Sequence, residues 1–306
     1  MRNILTLTEQ WLTTLTTQHY TLATIRTYRQ ALRPFLQFLQ QLGYHEFHQV
    51  HRQNISDYLA NRLDRDKLSK TSVQHELTVL RQLFKWLLKQ KLIQKNPTTA
   101  HRLKRSPRPL PTLLDVDVIN QLLDQPPPDD DKQLPLWVRD KAMLELLYGS
   151  GLRVGELVGL NFSDIDKNQQ ILRVLGKGGK TRLVPIGQKS WQALQDYLPY
   201  RQLWQNEHTA DNAVFISEKF GKRLTTRTVQ LRIKHHTKLA NLSQDVYPHL
   251  LRHCFASHIL SDSGDLRGVQ ELLGHSDIST TQVYTHLNFG HLSKVYDNAH
   301  PRSRRS

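Results

Sequence analysis

Arginine and histidine recur in this 306-residue chain at positions that suit chemistry on an anion. Arg153 follows the turn Gly149-Ser150-Gly151 and starts a predicted short helix over 154–160. The helix dipole disfavours a cation at this end, so stability does not favour an arginine there. An anion bound at the same end would gain from both the guanidinium and the free N–H groups. The alternative interpretation is a surface arginine on a loop.

A second candidate group lies in the run from Pro248 to Cys254. His249 and Arg252 are three positions apart, so they share one face of a predicted helix. One histidine and one arginine on a face suit a phosphate with a proton to move. His249 and His253, four apart, could instead bind zinc, but the zinc-binding HExxH pattern needs glutamate where Leu250 stands. We therefore predict no metal site.

Lys177 and Lys180 lie in a glycine-rich turn between two β-rich runs, 170–175 and 181–185, which predicts a hairpin. The turn ends in Gly-Lys-Thr, like a Walker A loop. That pattern needs glycine where Val174 stands, and a helix where the second run favours a strand, so we reject a nucleotide site. A hairpin lysine can still deliver a proton into a groove; the alternative is a solvated turn lysine.

The charge of the chain indicates a polyanionic partner. The net charge is +15, and residues 1–110 hold 18 Lys/Arg against 6 Asp/Glu, so most of the excess lies in the first third. Nucleic acid is the commonest such partner, with anionic lipid or a solubility role as alternatives. No apolar run is long enough for a membrane span, and we predict no signal peptide. The single cysteine, Cys254, fits a reducing cytosol.

The first third of the chain predicts helices that could position such a partner. Apolar residues recur at helical spacing from Thr21 to Gly43, with Pro34 inside, so we expect a kink there or two helices. A second helix is predicted from Ser69 to Lys91. The polar and basic face of that helix could lie against phosphates, or could simply be solvated. Its members are Gln74, Thr78, Arg81 and Lys85.

The overall pattern predicts two domains in a mainly helical chain with a small β-sheet. Residues 1–100 form a helical domain, 101–111 a basic, proline-rich linker, and 112–306 a mixed domain. Further helices are predicted at 137–148, 188–200, 226–240, 248–262 and 265–273.

Four blocks together resemble the tyrosine recombinase, or phage integrase, family. They are Gly151-Leu152-Arg153-Val154-Gly155-Glu156-Leu157, Gly176-Lys177-Gly178-Gly179-Lys180-Thr181-Arg182, His249-Leu250-Leu251-Arg252-His253, and Leu272-Leu273-Gly274-His275-Ser276 followed by Thr280-Thr281-Gln282-Val283-Tyr284-Thr285-His286. Their order and spacing are the family's. The segment from Ser261 to His286 and the tail from Val295 to Arg302 resemble the bacterial Xer type, and its C member more than its D member.

The resemblance implies a C-shaped clamp on DNA, with a core-binding domain and a catalytic domain that ends in a subunit-docking tail. It implies that Tyr284 attacks the scissile phosphate and forms a 3′-phosphotyrosyl link. Arg153 and Arg252 would clamp the phosphate, with His275 bonded to it. Lys177 would protonate the leaving oxygen, and His249 would assist the tyrosine proton. No cofactor, metal or ATP is implied.

The resemblance also implies partners. These are a double-stranded recombination site, a related XerD-like recombinase in a cyclic heterotetramer, and an FtsK-like septal DNA translocase. The implied task is to resolve chromosome or plasmid dimers at cell division, in the cytoplasm. Three alternatives stay open: a mobile-element or phage integrase, a type IB topoisomerase, and a non-catalytic DNA-binding protein on the same scaffold.

Overall fold

The computed structural model describes residues 3–18, 20–101, 113–176, 181–207, 209, 212–274 and 286–303, without the side chains of 286–291 and 294. The chain divides into two compact units, Met1–Pro109 and Leu110–Ser306. All of the predicted linker except His101 lies outside the described residues. No described helix is both long and apolar enough to cross a membrane. The predicted mainly helical architecture with a small sheet is confirmed.

The first unit is helical in its described residues. Its α-helices are α1 (Ile4–Thr17), α2 (Leu22–Gln41), α3 (Arg52–Asp64) and α4 (Lys70–Lys89). The side chains of Thr21 and Ser69 accept a backbone N–H at the starts of α2 and α4 and so cap them. The apolar face predicted for α4 lies in the core of the unit. Its members are Val73, Leu77, Leu80, Phe84 and Leu87, all fully buried.

Pro34 neither splits α2 nor ends it, so the alternative of two helices is wrong, and the alternative of a kink stays a prediction. A proline leaves the carbonyl four residues earlier without its helical donor. That carbonyl belongs to Gln30, which is exposed, so water can bond to it. The apolar face of α2, with Leu32, Phe35 and Leu39 fully buried on both sides of the proline, holds the helix together.

The second unit combines helices with a small sheet. Its elements in chain order are α5 (Val116–Leu123), α6 (Leu134–Gly149), α7 (Val154–Gly159), β1 (Ile165–Asp166), β2 (Ile171–Leu175), β3 (Thr181–Pro185), α8 (Gln188–Leu203), α9 (Thr226–Leu239), α10 (Pro248–Ser263), α11 (Leu266–Leu273) and α12 (His286–Ala299). The strands are antiparallel in the order β1-β2-β3, and Leu175 pairs with Thr181. The predicted pairing of β2 with β3 is therefore confirmed, whereas β1 was not predicted.

The end of the chain packs into the core of its own unit. Tyr296, fully buried, donates a hydrogen bond to the Gly149 carbonyl oxygen at 2.7 Å. Arg302 Nη2 lies 2.5 Å from Glu145 Oε1, and its Nη1 lies 2.9 Å from Asp124 Oδ2. These contacts seat the tail beside the turn that precedes Arg153. Docking of the tail onto a neighbouring subunit stays a prediction.

Candidate active site

Arg153 stands at the N-cap of α7, where the sequence places it against the helix dipole. Glu156, one turn into the helix, offsets this placement. Its carboxylate accepts the Arg153 backbone N–H at 2.8 Å and the Arg153 guanidinium at 2.8 Å. The Arg153 side chain keeps 35% of its surface exposed, so a further anion can reach it.

Glu156 is itself buried, with 6% of its side chain exposed, and a second arginine holds it. Arg182 on β3 donates Nη1 to Glu156 Oε1 and Nη2 to Oε2, both at 2.8 Å. Burial alone would raise the pKa of Glu156, but the bonds and charge of Arg182, with the bonds from Arg153, lower it to about 2. The carboxylate is therefore ionised at neutral pH.

Arg252 lies in the first turns of α10, buried to 8% exposure of its side chain. Its Nη1 donates to the Gly151 carbonyl and its Nη2 to the Leu273 carbonyl, both at 2.5 Å, while Nη1 lies 3.7 Å from Glu156 Oε2. Burial, followed by the charges of Arg153 and Arg182, lowers the pKa of Arg252 to about 9. A bound anion would offset this repulsion.

Three guanidiniums thus surround one carboxylate, which leaves a formal charge of +2 in the cluster. Arginine donors in a half-buried site suit the oxygens of a phosphate, which they can contact in pairs. Such a site stabilises negative charge that develops during reaction at phosphorus. The arrangement can therefore bind and polarise a phosphate.

The structure brings together two of the six predicted catalytic residues, Arg153 and Arg252. His249 is exposed in the first turn of α10, three residues before Arg252. Lys177, His275 and Tyr284 lie outside the described residues. No group of three or more metal-ligating side chains occurs among the residues that the structure describes.

Sequence reasoning missed Glu156 and Arg182 as members of this cluster. The spacing of Arg153 and Glu156, three apart at a helix start, is a signal that could have found the carboxylate. Arg182 pairs with Glu156 across 26 positions of sequence, and no local pattern indicates such a pair.

The predicted DNA-facing stripe of α4 is only partly free. Thr78 and Lys85 are exposed, whereas Gln74 and Arg81 are half-buried. The Arg81 guanidinium donates to the His101 carbonyl, so this arginine has a structural bond within the first unit. The helix α9 was predicted, but its basic character was not: it has four Lys/Arg and no Asp/Glu. Three of them, Arg227, Lys234 and Lys238, are exposed.

Comparison with known proteins decides the family. Residues 112–291 match the phage integrase family, and residues 7–94 match the phage integrase N-terminal SAM-like domain. The chain is 44% identical over 282 residues to the tyrosine recombinase XerC of Proteus mirabilis, covering 92% of this chain and 89% of the relative. It is also 43% identical over 282 residues to the tyrosine recombinase XerC of Escherichia coli O157:H7, covering 92% and 91%. The chain belongs to the phage integrase family of tyrosine recombinases.

The predicted resemblance is therefore confirmed, including its Xer type. As a tyrosine recombinase the protein is a DNA strand transferase, which acts by site-specific recombination. The alternative of a non-catalytic scaffold loses its support.

Solved structures agree with the fold. A lambda integrase dimer bound to a COC′ core site has a TM-score of 0.67 at 19% identity, covering 90% of this chain and 95% of that chain. The XerH recombinase bound to a palindromic difH substrate, in a post-cleavage complex, has a TM-score of 0.67 at 22% identity, covering 90% and 80%. At these identities the likeness shows a shared fold.

Proposed function

We propose that this tyrosine recombinase cuts DNA with Tyr284 as nucleophile and clamps the scissile phosphate with Arg153 and Arg252. The observation that carries the proposal is the cluster around Glu156, in which two cations stay in excess of the carboxylate. The Tyr284 oxygen bonds to phosphorus while the bond to the 5′-oxygen breaks, which leaves a 3′-phosphotyrosyl link and a free 5′-hydroxyl. Because the link is itself a phosphodiester, it conserves the energy of the broken bond, and rejoining needs no ATP.

The remaining roles concern protons. Lys177 donates a proton to the leaving 5′-oxygen, His249 assists removal of the Tyr284 proton, and His275 bonds a phosphoryl oxygen. A tyrosine has a reference pKa near 10, so it needs both a base and a cationic site. The 5′-hydroxyl of another strand then attacks the link, which gives exchange rather than hydrolysis.

We further propose that the protein resolves chromosome or plasmid dimers in the cytoplasm. Its substrate is a double-stranded recombination site, its partner a XerD-like recombinase in a cyclic heterotetramer, and its regulator an FtsK-like translocase. The relatives named XerC support the XerD-like partner, and the DNA-bound lambda integrase and XerH structures support the substrate class.

Two basic faces are proposed to contact the DNA backbone, one in each unit. The first is the α4 stripe of Gln74, Thr78, Arg81 and Lys85, and the second is the exposed face of α9. The affinity for DNA falls as salt rises, and each phosphate contact that is lost makes the slope of log K against log salt shallower by about 0.9. Lys85→Gln should make the slope shallower by that amount in a salt titration of DNA binding. Lys95→Gln, an exposed lysine outside α4, is the control, and an equal change there would count against the stripe.

Covalent trapping tests the proposed chemistry. The wild-type protein selects its binding site from a random-sequence duplex pool, and the selected duplex is end-labelled and nicked beside each candidate cleavage position. A denaturing gel is run with chelator present. We expect a slow, protease-sensitive band that Tyr284→Phe abolishes.

Different results point to different failures. Binding without a band calls for addition of a XerD-like partner, and a band that still does not form would refute the proposal. Relaxation of a supercoiled plasmid that lacks the selected site would favour a type IB topoisomerase. A band that persists in Tyr284→Phe would assign the nucleophile to another residue.

A further inference from the structure

Arg182 is the most completely enclosed member of the arginine cluster, with 4% of its side chain exposed. Besides its two bonds to Glu156, its Nε donates to the Leu272 carbonyl at 2.9 Å. Arg182 therefore joins β3 to the start of α7, through Glu156, and to the end of α11, through Leu272. A side chain so placed does not face a substrate, so any effect on the reaction must pass through its partners.

One of these partners is the end of α11. The successive carbonyls of Leu272 and Leu273 are held by Arg182 and Arg252 respectively. Gly274 follows with φ of +64°, and a Cβ added there would lie 2.9 Å from Arg182 Cδ. Close contact and left-handed backbone both require glycine at this position. The next residue in the sequence is His275, so Arg182 fixes the point from which the His275 segment departs.

The other partner is the Glu156 carboxylate, which competes with DNA for the two clamp arginines. Arg153 already touches it, and Arg252 Nη1 lies 3.7 Å away, within reach of a direct ion pair. The two bonds from Arg182 occupy both carboxylate oxygens. Without them, Glu156 would attract Arg252 more strongly, because a buried carboxylate needs a paired cation.

We propose that Arg182 is a positioning residue of the phosphate clamp. It satisfies Glu156, so that Arg153 and Arg252 stay available to the scissile phosphate, and it fixes the end of α11. This inference rests on the proposed function, since it takes Arg153 and Arg252 as the clamp.

Arg182→Lys is the first test, because lysine keeps the charge but cannot make the paired bonds and the Nε bond together. The nicked duplex described above is used to measure the single-turnover rate of covalent complex formation, and a gel shift measures the dissociation constant. We expect the rate to fall by about 100-fold, the loss expected when a catalytic group moves by about 1 Å. The dissociation constant should change little.

Arg201→Lys is the matched control. Arg201 is equally buried in the same unit and donates to the carbonyls of Ala213 and Val214. Its loss should lower thermal stability but leave the cleavage rate unchanged at a temperature where circular dichroism shows folded protein. Equal rate losses in the two variants would reduce Arg182 to a general packing role and overturn the inference.

Rescue by a second substitution separates positioning from packing. Arg182→Met leaves Glu156 without its main partner, and the added change Glu156→Gln removes the competing charge. We expect the double variant to cleave at least about tenfold faster than Arg182→Met alone, a coupling typical of residues in contact. A double variant no faster than the single one overturns the inference.

The Tyr284→Phe lane keeps the two proposals apart. A band in that lane refutes the proposed function and with it this inference. A normal Tyr284 requirement together with a wild-type rate in Arg182→Lys refutes this inference alone.

Discussion

Asp140 and Glu156, two of the buried carboxylates in the second unit, differ in how the cations around them are used. Asp140 on α6 contacts Arg139 at 2.9 Å, Arg232, and His236 at 3.2 Å, so both neighbouring arginines bond to the carboxylate itself. Around Glu156, by contrast, Arg252 directs its bonds to two backbone carbonyls and lies 3.7 Å from the carboxylate.

The same chemical groups therefore have a structural role in one cluster and an anion-binding role in the other. Burial alone would raise the pKa of Asp140, but the His236 bond and the charges of Arg139 and Arg232 hold it below its ordinary value. That cluster ties α6 to α9. The Glu156 cluster keeps a cation whose charge the protein only partly satisfies, and this is the property a phosphate site needs.

The largest effect that tests this contrast is expected from Arg252→Gln. Losing one transition-state donor costs about 100- to 1000-fold in rate. We expect a loss at the upper end, measured as covalent complex formed in a single turnover. Melting temperature should also fall, because glutamine cannot keep both bonds to the Gly151 and Leu273 carbonyls, so rates are compared at a temperature where both proteins are folded. A variant that cleaves within about tenfold of wild type would contradict the clamp role.

Arg153 and Arg252 show how far the sequence could go. Arg153 was predicted from its place at a helix start, Arg252 from sharing a helix face with His249, and both from the family resemblance. The structure brings both to Glu156. Helices α2 and α4 were also predicted, because their apolar residues repeat at helical spacing.

What the sequence could not predict depends on long-range packing. Arg182 reaches Glu156 only because β3 lies beside α7 in the folded unit, and the two are far apart in sequence. The alternative of two helices at Pro34 was wrong because local preference was weighed without the buried face that keeps α2 continuous. In both places tertiary contacts override the local signal.

A second test removes the negative charge of Asp140 from the other cluster. Asp140→Asn breaks a buried ion network and should lower the free energy of unfolding by about 3 kcal/mol. Denaturant unfolding measures this loss. The cleavage rate of the folded fraction should stay unchanged, because Asp140 takes no part in phosphate binding. Asp196→Asn, an exposed aspartate on α8, is the control, with an expected change within about 0.5 kcal/mol.

The smallest effect is a shift in melting temperature caused by sulfate, which resembles the phosphate oxygens. A ligand present at a concentration ten times its dissociation constant stabilises the folded state by about 1.4 kcal/mol. Each kcal/mol of added stability raises the melting temperature by about 2–4 °C in a domain of this size. Sulfate also stabilises proteins in general by exclusion from their surface, so the comparison must be made between variants at equal ionic strength. Asp196→Asn should keep the full shift, because this exposed aspartate lies outside both clusters. Arg252→Gln should show a smaller shift, because one of the two cations in excess is gone. Equal shifts in the two variants would mean that the surplus charge around Glu156 binds no anion, and the contrast between the two carboxylates would then reflect stability alone.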